Sequence, residues 1–202
     1  MSLKAKLVST IAAVCMVICL LSVGIWAANR GVVNIGGSVS FDISDVNVRV
    51  TGTVKQGLTA AGYADLDVTF DASDDGELED DITVAIEEWA IGAIKFEKTE
   101  GSTVLQDIII EITVENLSEE KTVSVSLVAD AEKENPDAED DVTLAVTKGG
   151  AVYADASLAV ADDAVGSGSD FVKYEITIST TKTANESVTG SNFNYVLTAQ
   201  NA

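Results

Sequence analysis

The stretch Ile108-Ile109-Ile110-Glu111-Ile112-Thr113-Val114-Glu115-Asn116-Leu117-Ser118-Glu119-Glu120-Lys121-Thr122-Val123-Ser124-Val125-Ser126-Leu127 decides the fold class. Ile108, Ile110, Ile112 and Val114 alternate with Glu111, Thr113 and Glu115, and then Val123, Val125 and Leu127 alternate with Thr122, Ser124 and Ser126. A period of two puts one row of side chains on a buried sheet face and the other in water. Residues 116–121 between the two runs are polar and short, so the spacing predicts a hairpin connection there.

The same alternation recurs on both sides. Val33, Ile35, Val39 and Phe41 alternate with Asn34, Ser38 and Ser40. Val46, Val48, Val50 and Val54 are interleaved with Asn47, Arg49, Thr51 and Thr53. Near the end, Val172, Tyr174, Ile176 and Ile178, and then Phe193, Tyr195, Leu197 and Ala199, repeat it. Shorter candidates lie at 66–70, 82–86, 90–96, 142–146 and 157–160, nearly all rich in the β-branched residues that suit a pleated surface. Residues 56–64 and 87–91 are read as able to hold a helical turn. About ten short strands and no convincing helix predict an all-β fold, an antiparallel β-sandwich of the jelly-roll or immunoglobulin-like kind. The acidic stretches 71–81 and 131–141 and the Gly/Ser-rich 166–170 have the composition of loops. Residues 28–202 are therefore expected to form a single domain.

The N-terminus has the three-part plan of a signal peptide: Lys4 and Lys6 in a charged start, an apolar run from Leu7 to Trp26, and the small pair Ala27 and Ala28. Ser22 and Gly24 weaken the helix before that pair, and Ile25 and Ala27 suit the −3 and −1 pockets of a signal peptidase. Cleavage is expected after Ala27, giving a secreted, extracellular or cell-surface protein. The run is also long enough to span a bilayer, so an uncleaved segment would be the one membrane contact. There is no LPxTG-like sorting motif, so any retention at the cell is expected to come from association or not to occur at all.

Composition closes off most chemistry. The chain has no His, and Cys15 and Cys19 both lie in the leader, so residues 28–202 offer no Ser–His–Asp triad, no thiol nucleophile and no His-ligated metal. Nothing marks a glycosidase-type carboxylate pair among the 33 acids, and no enzyme activity is expected. Residues 28–202 retain ten basic residues against those 33 acids, a net charge of −23. Such a charge repels nucleic acid and attracts divalent cations.

The densest acidic run, Asp71-Ala-Ser73-Asp74-Asp75-Gly76-Glu77, places oxygen ligands at the first, third and fifth positions of a calcium loop, with Gly76 at the turn. Ile82 stands where the bidentate Glu belongs, so this is not an EF-hand. Asp71, Asp74, Asp75 and Glu77 remain readable as a looser calcium site or as a solvated acidic turn. No other cofactor is expected. Asn116-Leu-Ser118 and Asn185-Glu-Ser187 match the glycosylation sequon, a pattern that often arises by chance.

Three segments carry a family resemblance. The leader ending Val23-Gly24-Ile25-Trp26-Ala27-Ala28 resembles the Gly-x-Trp-Ala ending found in the TasA/camelysin family, secreted proteins of Gram-positive bacteria that build biofilm-matrix fibres. The stretch from Ile110 through Asn116 to Val125 is similar to that family's strand, Asn-containing turn and strand. Phe193-Asn-Tyr-Val-Leu-Thr-Ala199-Gln200 is similar to its terminal strand. The chain differs in carrying Asn29 after the Ala pair, where an aromatic is usual, and Gln200 directly after Ala199. The resemblance implies a jelly-roll-like sandwich that polymerises when one subunit's N-terminal strand completes the sheet of the next. It makes residues 31–41 the candidate assembly strand, with Val33, Ile35, Val39 and Phe41 offered to pockets of a homo-oligomeric or fibrous partner; the alternative is an ordinary first strand of its own sheet. Gly36 and Gly37 weaken that strand and are expected to let it peel away. The expected function is a self-assembling structural protein of the extracellular matrix or cell surface. The alternative is a monomeric secreted module that binds carbohydrate or calcium.

Overall fold

The computed structural model describes residues 34–56, 58–59, 64–70, 87–137, 140–148, 151–152, 155–161, 170–188 and 190–202. They contain twelve strands and no helix: β1 (Asn34–Ser44), β2 (Val48–Val54), β3 (Leu58–Thr59), β4 (Leu66–Phe70), β5 (Glu87–Lys95), β6 (Ile108–Asn116), β7 (Val123–Ala129), β8 (Val142–Lys148), β9 (Ala151–Val152), β10 (Asp155–Leu158), β11 (Phe171–Thr180) and β12 (Phe193–Asn201). The leader 1–27, the strand expected at 82–86 and most of the turn expected at 56–64 lie outside the described residues.

The strands form two six-stranded sheets, ordered β10-β7-β12-β1-β5-β3 and β4-β2-β6-β11-β8-β9. The alternation read from the sequence is the burial pattern observed: in β6, Ile108, Ile110, Ile112, Val114 and Asn116 are buried and the residues between them are half-buried. Inward rows from both sheets merge into one core cluster. Contacts of several kinds span it among the described residues. The Phe41 and Phe70 rings, from β1 and β4, have centroids 5.7 Å apart, the Tyr174 hydroxyl of β11 donates to the Val125 carbonyl of β7 at 3.1 Å, and Trp89 of β5 rests on Gly52 of β2. The fold is a β-sandwich.

The structure corrects three local expectations. Residues 87–91 belong to β5 and make no helical turn, because their backbone pairs with β1. The candidate at 90–96 covers most of this strand, but its first residues are hard to recognise in the sequence because the inward row changes phase. Trp89 and Ile91 face the core, then Ile94 and Phe96 do. The shift lies where β5 residues 92–93 oppose Gly36 alone, a β-bulge between the Ile35↔Ile94 and Gly37↔Ile91 pairs.

Residues 116–121 do not close a hairpin. The partners of β6 are β2 and β11, while β7 lies in the other sheet between β10 and β12. The connection is a corner that crosses the sandwich, and Asn116 builds it. Its side chain is fully buried. Nδ2 donates to Lys121 O and to Ala159 O, both at 2.8 Å, and Oδ1 accepts from Ser118 N at 3.0 Å. The backbone N–H donates to Asp170 O at 2.7 Å. A chain leaving one sheet for the other loses its ladder partners, and buried backbone groups without partners are costly, so one amide side chain supplies them.

The third correction concerns strand direction. The ladders are antiparallel except for one, since β1 runs parallel to β12. Parallel neighbours need a long crossover, and here the rest of the domain serves as that crossover.

Candidate functional site

The first strand does not lie at an edge. β1 fills a slot in the interior of its sheet, bonded on one side to β12 from Gly37↔Phe193 through Ser44↔Gln200 and on the other to β5 from Asn34↔Lys95 through Phe41↔Glu87. Of the residues proposed for assembly, Ile35, Val39 and Phe41 line the inner face of this strand at 2%, 0% and 1% exposure. Val33 lies outside the described residues. Ile43, at 1% exposure, extends the same row and was missed by ending the strand at Phe41. Its signal is present in the sequence, since Asp42 and Ser44 continue the alternation around it.

Gly37 sits where the two neighbouring strands come closest. A Cβ built there would lie 1.8 Å from the Phe193 carbonyl oxygen, a distance that no side chain tolerates. Gly36 faces the bulge, with the Ile91 carbonyl oxygen 3.3 Å from where its Cβ would be. In this arrangement Gly37 is the residue that lets β1 fit, and Gly36 eases a close approach at the bulge, whereas the sequence alone suggested only that the two glycines loosen the strand.

On the outer face, residues 130–135 after β7 form a strap across the slot. Asn194 of β12 holds it. Its backbone N–H donates to Asn135 Oδ1 at 2.6 Å, its Nδ2 donates to Glu134 O at 2.6 Å, and its carbonyl accepts from Asp130 N at 2.9 Å. Asn135 closes the strap by donating through Nδ2 to Asp130 O at 2.9 Å. From this base Lys133 reaches over to β1 and β5, donating from Nζ to Ser38 Oγ at 3.2 Å and pairing with Glu88 Oε2 at 3.4 Å. The Ser38 hydroxyl donates in turn to Asn194 Oδ1 at 3.1 Å. Lys133 and Ser38 are far apart in sequence, so no local pattern signals the strap.

The groups with displaced titration all have structural causes. Burial pushes the Glu111 carboxyl up, but the ammonium groups of Lys173 at 2.6 Å and Lys55 at 3.1 Å outweigh it and hold the pKa below its ordinary value. Hydrogen bonds from Arg49 lower Asp67, bonds from Thr183 lower Glu186, and burial raises Tyr195. Asp71, Asp74, Asp75 and Glu77 lie outside the described residues. Among the described residues no cluster of three or more acidic, His or Cys side chains is placed to hold a metal ion.

The two sequons differ in access. The Asn116 amide is buried with both hydrogens donated, so the native fold has no room for a glycan there, whereas Asn185 is exposed. No protein-family model matches the chain, and no curated protein matches it.

Proposed function

We propose that this is a secreted structural protein of the extracellular matrix or cell surface that self-assembles into fibres by β-strand addition. One observation carries the reading: the first strand of the described fold occupies an interior slot between β12 and β5. A strand in that position, when withdrawn, exposes two ladders of backbone donors and acceptors and the pockets of Ile35, Val39, Phe41 and Ile43. Such a gap is a strong template for another strand of the same sequence. Because β1 leads the domain, it can enter a neighbouring molecule while residues 48–202 stay behind. The leader supports export, and the net charge of −23 on residues 28–202 keeps unassembled molecules apart.

The test is a reversible lock. Ser40 and Glu88 face each other in the β1–β5 ladder, and opposite residues in a sheet lie within reach of a disulfide. Residues 28–202 carry no cysteine to compete. Oxidised Ser40→Cys/Glu88→Cys protein is expected to remain monomeric on a sizing column and to show no filaments by negative stain. Reduction should restore assembly. Filaments formed equally by the oxidised and reduced protein would overturn the reading.

A further inference from the structure

The inner row of β1 reads Ile35, Gly37, Val39, Phe41, Ile43, a single gap in a line of large side chains. That gap meets the Phe193 carbonyl, where even a methyl group cannot be placed. A strand sliding in its slot keeps its faces only if it moves by an even number of residues. Moving two residues either way brings Ile35 or Val39 against that carbonyl, and moving four brings Phe41. With the backbone held as it is at Gly37, each such step sets a Cβ against the same oxygen.

The neighbouring residue adds a polar contact. Ser38 belongs to the outer row with Ser40 and Asp42, which face away from the core. Asp42 is exposed and Ser40 half-buried, yet Ser38 is only 4% exposed. The strap covers it, and its hydroxyl uses both capacities, donating to Asn194 and accepting from Lys133. A residue without a hydroxyl at this position would remove the hydrogen bonds that tie β1 to Asn194 and to the half-exposed Lys133.

We propose that Gly37 and Ser38 form a register and identity key, by which the slot between β12 and β5 accepts the first strand of a second copy of this chain in one alignment and rejects strands that lack the pair. This inference rests on the strand-addition reading. Under it, the alternating apolar residues give a strand its affinity for the slot. The Gly-Ser step decides which strand enters and where it stops.

The experiment uses the unaltered protein and varies only the incoming strand, so folding of the protein is not at issue. Fluorescein-labelled peptides of residues 31–44 are incubated in excess with purified protein, and incorporation is measured by gel filtration with fluorescence detection. Peptides with the natural sequence and with Asp42→Ser, a change at an exposed outer position, are expected to enter equally. Gly37→Ala should enter roughly tenfold less or worse, as overpacking against a fixed backbone requires. Ser38→Val should enter several-fold less. Equal entry of the Gly37→Ala, Ser38→Val and natural peptides would overturn the key and leave strand exchange standing. Failure of every peptide, the natural one included, would overturn strand exchange and the key with it.

Discussion

The indole of Trp89 lies against Gly52 so closely that a Cβ on the glycine would sit 2.5 Å from Trp89 Cζ3. The two residues come from opposite sheets, so the contact helps to set the spacing of the sandwich at that point. The indole is buried, at 5% exposure, and Nε1 donates to Ala64 O at 2.9 Å. Replacing Gly52 with Ala should cost about 1–3 kcal/mol, because the ring has to tilt or the sheets have to part. Thermal unfolding of Gly52→Ala should show a midpoint lowered by several degrees. Trp89 is the only tryptophan outside the leader, so its emission should report the loosened packing in the native state.

Asn116 should be nearly as sensitive. Asn116→Ala removes the donors that serve Lys121 O and Ala159 O and the acceptor that serves Ser118 N. Leaving buried groups unpaired costs about 1–3 kcal/mol each, less whatever water recovers. The expected loss is about 2–4 kcal/mol in denaturant unfolding, accompanied by faster amide exchange at 117–122. A loss no larger than that of an exposed substitution such as Glu119→Ala would show that the corner is held by other contacts.

Tyr174 provides a smaller and cleaner probe. Its ring is fully buried and its hydroxyl bridges the sheets to Val125 O. Tyr174→Phe keeps the ring and removes the bridge, so the expected cost is about 1 kcal/mol. Chemical denaturation with an unchanged slope should register it.

Glu111 predicts a specific acid response. Its folded pKa is lowered by Lys173 and Lys55 against the effect of burial, so folding favours the ionised form. The stability it contributes is complete above the carboxyl's unfolded pKa and is lost as pH falls through the lower folded value. Glu111→Gln should therefore cost about 1 kcal/mol or less near neutrality. The difference between the two proteins should shrink as the pH is brought down through the acid range, in melting curves recorded at constant salt.

The strap makes a further prediction about dynamics. Lys133→Ala removes the cross-slot contacts to Ser38 and Glu88 and leaves the Asn194–Asn135 base intact. Amide exchange in β1 around Ser38 should accelerate several-fold through local opening, while β6 and β11 in the other sheet stay protected. Equal protection in both proteins would show that Lys133 does not restrain the strand.

Period-two alternation made the fold class legible, because a half-buried strand must put one row of side chains in the core and the other in water. β6, β7, β11 and β12 could be read that way, residue by residue. β5 could be read only in part, as the candidate at 90–96, because its bulge at 92–93 breaks the phase and its start at Glu87 emerges only from the pairing with β1. The apolar residues Ile35, Val39 and Phe41 were also visible as a row. Their position between β12 and β5 was not, because strand order depends on contacts between residues more than 150 positions apart, as in Gly37↔Phe193.

By itself, then, the sequence determined the β-sandwich class, the inward rows, the acidic surface and the absence of His and Cys chemistry from residues 28–202. These follow from side-chain type and local period. Only the tertiary structure decided that Asn116 turns a corner between sheets, that β1 runs parallel to β12, and that Ser38 lies beneath a strap. It also decided that Gly37 is required by the Phe193 carbonyl. Each of these depends on which distant backbone comes close, a matter fixed by the packing of two sheets and not written in any local stretch of the chain.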